Sequence, residues 1–380
     1  MLGDPNDFAF HFEVAKTYST PATVSSLAFG HSFHLYAGSG DGSLRVYDLS
    51  THKVIKAIRS LGDEVSSILC MKRSGSELRD AWIAHGTKIS KFQLDTPKMI
   101  LSPEDALQTI QIGETEDDVV NELALHYNKT HLGLGTDAGN IVLVDLATDE
   151  VTKTKTKHTS ICGGVQFIAD RGRDIVSAGY DHKFMHHDFV SGELISEMTL
   201  VATPTESNTS ATLSPPFIMS FGVSSTGVIV GGSACGRLWI GIGGEKRPSR
   251  KKTKRWEGLR ESESAGIIAA QGPIVSVYFS EARTFTTSTL LGLITQWEIV
   301  YQEEERRILL KMLWQGETKN LEKVNKLIAD QNRIIVGGLT KDGKGLIEVW
   351  QKEPLPEPKE IEDGQEHVEV ESTITSTTTE

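Results

Sequence analysis

The chain has 380 residues, with 38% apolar and 24% charged side chains, a balance that predicts a folded body. Its formal net charge is −12, of which residues 352–380, with nine acids and two bases, carry −7, so the total does not indicate a broad basic surface for nucleic acid. Three cysteines (Cys70, Cys162 and Cys235) form an odd set with no pairing pattern, which argues against a disulfide scaffold and for a reducing compartment.

The first predicted element is FAFHFEVAKTY (8–18), where Phe8, Phe10, Phe12 and Val14 alternate as on a half-buried strand. The preceding residues lack the charged and apolar regions of a secretory signal, and no apolar run nears the ~18 residues of a membrane span. The sequons at Asn128 and Asn208 are therefore read as chance matches.

From Val24 onward one grammar recurs. A short apolar strand opens each pass, a second strand ends in small residues, and a tight turn leads into a third strand. The opening strands start at Val24, Val65, Val120, Ile161, Phe217, Ile274 and Val324. The third strands read GSLRVYD, TKISKFQ, GNIVLVD, HKFMHHD, GRLWIGI, GLITQWE and GLIEVWQ, with Tyr47, Phe92, Val144, His187, Gly241, Trp297 and Trp350 before the last residue. The gaps between those positions are 45, 52, 43, 54, 56 and 53 residues. A period of about 40–50 residues reading as four short strands is that of a propeller blade. One such sheet cannot cover both its faces, but a radial ring of them can. Only EDALQTI (104–110) and YQEEERRILLKMLWQ (301–315) look partly helical, so a layered α/β fold is disfavoured. The predicted fold is all-β, a seven-bladed β-propeller over residues 1–351.

The best-preserved pass, KHTSICGGVQF…DIVSAGYDHKFMHHD (157–188), resembles the WD40 family, and the resemblance covers residues ~8–351. It implies that His158, Ser177 and Asp181 belong to a buried hydrogen-bonded tetrad whose fourth place, ordinarily Trp, holds His187. The runs AHGTKISKFQLD (84–95) and VNELAL…HTSIC (120–162) carry its closest likeness within that family. The resemblance further implies a non-catalytic scaffold that binds other proteins in a complex, with no cofactor and no metal. Some members are substrate receptors of cullin-4-type ubiquitin ligases and carry a Trp-Asp-x-Arg box. Here the nearest strand ends are YDLS (47–50), VDLA (144–147) and HDFV (187–190), none of which is that box.

A closed ring must join its ends. Nothing strand-like follows Gln351, so residues 8–18 are expected to supply the outer strand of the last blade and remove an exposed sheet edge. Polar residues 201–214 and 243–272 read as flexible insertions, and 301–308 as an extended connection. Residues 352–380, rich in acids, Pro and Thr, read as a disordered acidic tail.

Partner binding is expected on the face carrying the turns between second and third strands, which offer Gly40, His85, Asp137, Tyr180, Leu290 and Leu291. Apolar and aromatic side chains in a solvent-facing ring are suitable anchors. A second candidate is the cluster Lys246, Arg247, Arg250, Lys251, Lys252, Lys254 and Arg255, read as a nuclear import signal, with residence in nucleus and cytoplasm. Nucleic-acid association in chromatin or ribosome assembly is the alternative for that cluster, with Trp256 as its one adjacent stacking aromatic. His182, His186 and His187 invite a metal, but neighbours on a strand point to opposite faces. The Gly-rich run GLGTDAGN (133–140) precedes no helix that could hold a phosphate. The cysteines are expected to fill core space.

Overall fold

A computed structural model describes residues 10–31, 33–201, 214–246 and 255–354. Among these residues seven antiparallel sheets follow one another around a ring. Blade 1 comprises Val24–Phe29, His34–Ser39, Leu44–Asp48 and Lys53–Ile58, with Ile100–Leu101 added in parallel as a fifth strand. Blade 2 holds Val65–Met71, Asp80–His85, Lys88–Phe92 and Gln108–Gln111, and blade 3 holds Val120–Leu125, His131–Thr136, Ile141–Asp145 and Val151–Lys153. Blade 4 holds Cys162–Phe167, Asp174–Gly179, Lys183–Asp188 and Glu193–Thr199, and blade 5 holds Ile218–Val223, Ile229–Ser233, Arg237–Gly241 and Ser264–Ile268. Blade 6 runs through Ile274–Phe279, Thr284–Thr289, Leu293–Gln302 and Arg307–Glu317. Blade 7 takes Lys323–Ala329, Arg333–Leu339 and Gly345–Pro354, and its outer strand is Phe10–Thr20 from the far end of the chain.

The closing strand pairs with Gly345–Pro354 over ten residue pairs, from Phe10↔Pro354 to Thr20↔Gly345. Phe12 is buried and meets Trp314 of blade 6 at 5.0 Å, while Tyr18 meets Tyr47 of blade 1 at 4.8 Å and hydrogen-bonds His52 at 2.9 Å. One strand thus fastens blade 7 to both neighbours. Strict alternation does not survive: the register shifts between Val14 and Lys16, and Val14 is exposed. Phe8 lies outside the described residues.

The core is divided rather than continuous. Seven apolar clusters form, one at each blade interface. The third-strand positions singled out above feed them: Tyr47, Phe92, Val144, Trp297 and Trp350 are buried there. The smallest cluster, Ile141, Leu143, Cys162, Val165, Ile175 and Phe189, lies between blades 3 and 4, where polar groups share the load.

Several predicted boundaries change. Residues 301–315 are not helical; they form the long outer hairpin of blade 6, and 104–110 runs from a short 3-10 turn, Pro103–Asp105, into the strand Gln108–Gln111. Residues 243–272 are not one flexible insertion. Ser264–Ile268 is the outer strand of blade 5, and Trp256 and Leu259 pack into the cluster between blades 4 and 5. Gly241 is explained by that docking: a Cβ there would meet the Gly258 carbonyl oxygen at 2.1 Å, so the insertion fills the space an aromatic takes elsewhere. The last strand continues to Pro354, so Lys352–Pro354 belong to the propeller and not to the tail. The remainder of the tail, and 202–213, lie outside the described residues.

Candidate functional site

The turns between second and third strands, and those linking one blade to the next, share one face, here called the top. The inner strands ring a channel with a cavity volume of about 780 Å³. The residue after the buried first position of each inner strand faces this channel near the top. In blades 1, 2, 3 and 7 it is Ser25, Ser66, Asn121 and Asn325. Each donates to a backbone carbonyl of the next blade: Val65 at 2.8 Å, Val120 at 2.5 Å, Cys162 at 3.1 Å and Val24 at 2.9 Å. These bonds pin four blade junctions and leave a polar arc. In blades 4, 5 and 6 the same position holds Gly163, Met219 and Val275, which cannot form the bond, and the arc there is apolar.

Tyr180, Leu290 and Ile161 line the channel beside that apolar arc. Tyr180 is half-buried, and a Cβ added at Gly163 would lie 3.3 Å from its ring, so the glycine makes room for it. Phe217 stacks on Tyr180 at 5.9 Å with an interplanar angle of 25°, and His182 approaches Phe217 at 5.1 Å. His182 has φ 66°, in the turn position where blades 1, 3, 5 and 6 place Gly42, Gly139, Gly236 and Gly292. A side chain held in the left-handed region costs energy, and such strain concentrates at functional sites. Burial, and then the Asp137 carboxylate, push the Tyr180 hydroxyl above its ordinary value. Asp137 itself accepts a bond from Asn121 Nδ2 at 2.9 Å.

Leu291 is 73% exposed at the turn tip and does not line the channel. His85 is corrected: it is buried, with Nε2 2.9 Å from Ser90 Oγ, and burial lowers its pKa, so it is a piece of blade 2 and not a surface anchor. Gly40 packs on Thr23, whose carbonyl accepts its N–H at 2.9 Å. Cys235 occupies the top turn of blade 5, half-buried, 3.2 Å from Ser233 Oγ, rather than the core.

In blade 4, His158 Nε2 is 2.8 Å from Ser177 Oγ and Nδ1 is 2.8 Å from Asp181, which also accepts the Thr159 N–H at 2.9 Å. Burial alone would raise the Asp181 pKa, but the His158 bond and charge and the two backbone N–H groups outweigh it, and the value is lowered. His187 is buried beside this chain without joining it: neither ring nitrogen has a hydrogen-bond partner, and burial, then the nearby His158 and His186, push its pKa down to about 4. Trp in the matching place does reach, since Trp297 Nε1 donates to Thr287 Oγ1 at 3.0 Å in blade 6. His186 points the other way, to Asp174 at 2.8 Å.

Sequence reasoning missed the ion pair of Lys326 with Glu122, 3.3 Å, which spans the channel from blade 7 to blade 3. It also missed how the basic segment is anchored on the opposite, bottom face. Glu245 is buried and receives Arg283 of blade 6 at 2.7 and 3.0 Å, and Lys246 reaches Asp170 of blade 4 at 2.5 Å. Trp256 is buried with Nε1 2.8 Å from the Gly227 carbonyl, so it cannot stack on a base. Arg247, Arg250, Lys251, Lys252 and Lys254 lie outside the described residues, and Arg255 is exposed.

No protein-family model matches the chain. It is similar to the WD repeat-containing protein 53 homolog of Dictyostelium discoideum, 23% identical over 205 residues, which are 50% of this chain and 53% of that protein. The chain therefore spans about half the length of the curated relative it matches. Seven blades, a ring closed by the strand Phe10–Thr20 and this similarity together support the resemblance to the WD40-repeat family.

Proposed function

We propose that the chain is a non-catalytic protein-interaction scaffold that takes an apolar anchor of a partner peptide at the top mouth of its channel. The observation that carries this is the asymmetry of the inner ring. In blades 1, 2, 3 and 7 the channel-facing residue near the top hydrogen-bonds the next blade, whereas blades 4 to 6 present Gly163, Met219 and Val275 at that position, beneath Tyr180, Phe217 and Leu290, and blade 5 reaches its neighbour from Ser220 instead. A half-buried aromatic over an apolar recess, rimmed by polar groups, has the make-up of an interface hot spot. Affinity purification followed by mass spectrometry tests it. Tyr180→Ala and Leu290→Asp should each remove the same partners while leaving the melting temperature within a few degrees. An unchanged partner set would place binding elsewhere.

A substrate-receptor role on a cullin-4-type ubiquitin ligase is the specific form that the family resemblance supports; co-purification of the ligase adaptor with the parent chain tests it. For the segment 246–255 we propose nuclear import, with residence in nucleus and cytoplasm, read out by deleting it from a fluorescent fusion. Nucleic-acid binding there has lost its stacking aromatic, because Trp256 is buried, and Lys246 is already paired with Asp170.

A further inference from the structure

The bottom mouth of the channel differs from the top. It is lined by Phe29, Cys70, Arg79 and Tyr278. The Arg79 backbone is fixed from blade 1, where Tyr36 Oη donates to its carbonyl at 3.0 Å and accepts its N–H at 3.2 Å. Its side chain has no acid within ion-pair distance among the described residues, and its Nε is buried without a hydrogen-bond acceptor. The bottom-face acids Asp80 and Asp330 are engaged elsewhere. Asp80 holds Arg73 at 2.9 Å through both oxygens, and Asp330 holds Arg333 at 2.9 and 2.6 Å. Arg333 in turn lies over the rings of Phe29 and Phe33, at 5.4 and 5.6 Å, and Phe33 is 56% exposed. Arg79 is half-buried with its Nε enclosed, an unpaired buried donor is costly, and a guanidinium is matched best by a planar carboxylate.

The last strand of blade 7 runs from its top turn to the bottom face and ends there at Pro354. The 26 residues that follow carry eight acids against Lys359, and they alternate acid with apolar in KEIED and HVEVE. At ~3.3 Å per residue they reach up to about 85 Å, several times the ~15 Å breadth of a four-stranded sheet. We propose that the acidic segment 355–380 docks in cis on the bottom mouth of the channel, placing a carboxylate on Arg79 and apolar side chains against Phe29 and Phe33. Tethering supplies an effective concentration on the order of millimolar, so even a weak contact is occupied. The bottom mouth is then closed to acidic peptides of other proteins until that segment is displaced.

The test uses a fluorescent peptide of residues 355–380 and anisotropy. A chain ending at Pro354 keeps every described strand and is the acceptor. It should bind the peptide with micromolar affinity that weakens as salt rises. Arg79→Gln in that acceptor should weaken binding at least tenfold. The full chain should bind at least tenfold more weakly than the truncated one, and the full chain with the acids of 357–371 changed to Gln should recover. No binding to the truncated chain, equal binding to the full chain, or indifference to Arg79→Gln would each overturn the proposal; the last would move the contact to 246–255. Should Arg79→Gln fail to fold, hydrogen exchange at residues 29–36 and 78–80 decides, because protection there must fall on truncation. Failure here leaves the top-face site untouched.

Discussion

Phe12→Ala probes ring closure. Phe12 is 4% exposed and meets Trp314 of blade 6 edge-on at 5.0 Å, although it belongs to a strand whose backbone pairs with blade 7. Truncating a buried aromatic costs about 3–5 kcal/mol, part of it from the aromatic pair and part from the cavity left behind. Unfolding entropy of ~2.1 cal/mol/K per residue over roughly 330 ordered residues gives about 0.7 kcal/mol/K, so the melting temperature should drop by about 4–7 °C. Val14→Ala, at an exposed position of the same strand, should cost within ~0.5 kcal/mol and shift it by less than about 1 °C. Calorimetry measures both, and hydrogen exchange should show protection in Gly345–Pro354 falling for the first variant only. Equal melting temperatures for the two variants would refute the claim that this strand holds blade 6 to blade 7 through its buried aromatic.

Deleting residues 1–18 should be more severe, because it unpairs most of the ten residue pairs that cover the edge of blade 7; melting and aggregation on heating report it. His187 makes stability depend on pH: its folded pKa of about 4 lies below the ordinary 6.5, so the unfolded chain binds the proton first. The His187 contribution is full above pH 6.5 and falls by up to about 3 kcal/mol as pH drops toward 4, so His187→Phe should reduce the loss seen in melts between pH 7 and pH 5, while His85 and His126, whose values burial also lowers, keep their share. Asp181→Ala should destabilise by about 2–4 kcal/mol, since it leaves His158 buried without its 2.8 Å partner; denaturant unfolding measures it. Trp256→Ala should cost about 3–5 kcal/mol, whereas a merely loose insertion would tolerate it without a shift in melting temperature.

Much of the fold was legible because a blade is a local object. Its four short strands, Gly-containing turns and aromatic third strand repeat along the chain, and the period alone implies a ring. The long hairpin of blade 6 was misread because LLKMLW fits a helical stripe as well as a strand, and only its pairing with Leu293–Gln302 distinguishes them. Likewise Trp256 beside seven basic residues looks like a surface aromatic, until Gly241 and Gly227 are seen to leave the space and the carbonyl that receive it.

By itself, the order of residues determined the blade count, the register of the third strands and the need for an N-terminal strand to finish the last sheet, since each follows from periodicity and from the cost of an open edge. Tertiary structure alone decided which residues meet across the ring. Lys326 and Glu122 are 204 residues apart, and Tyr180, Phe217 and Leu290 come from three blades. Such contacts depend on how sheets are arranged around the channel, a geometry that no local pattern encodes.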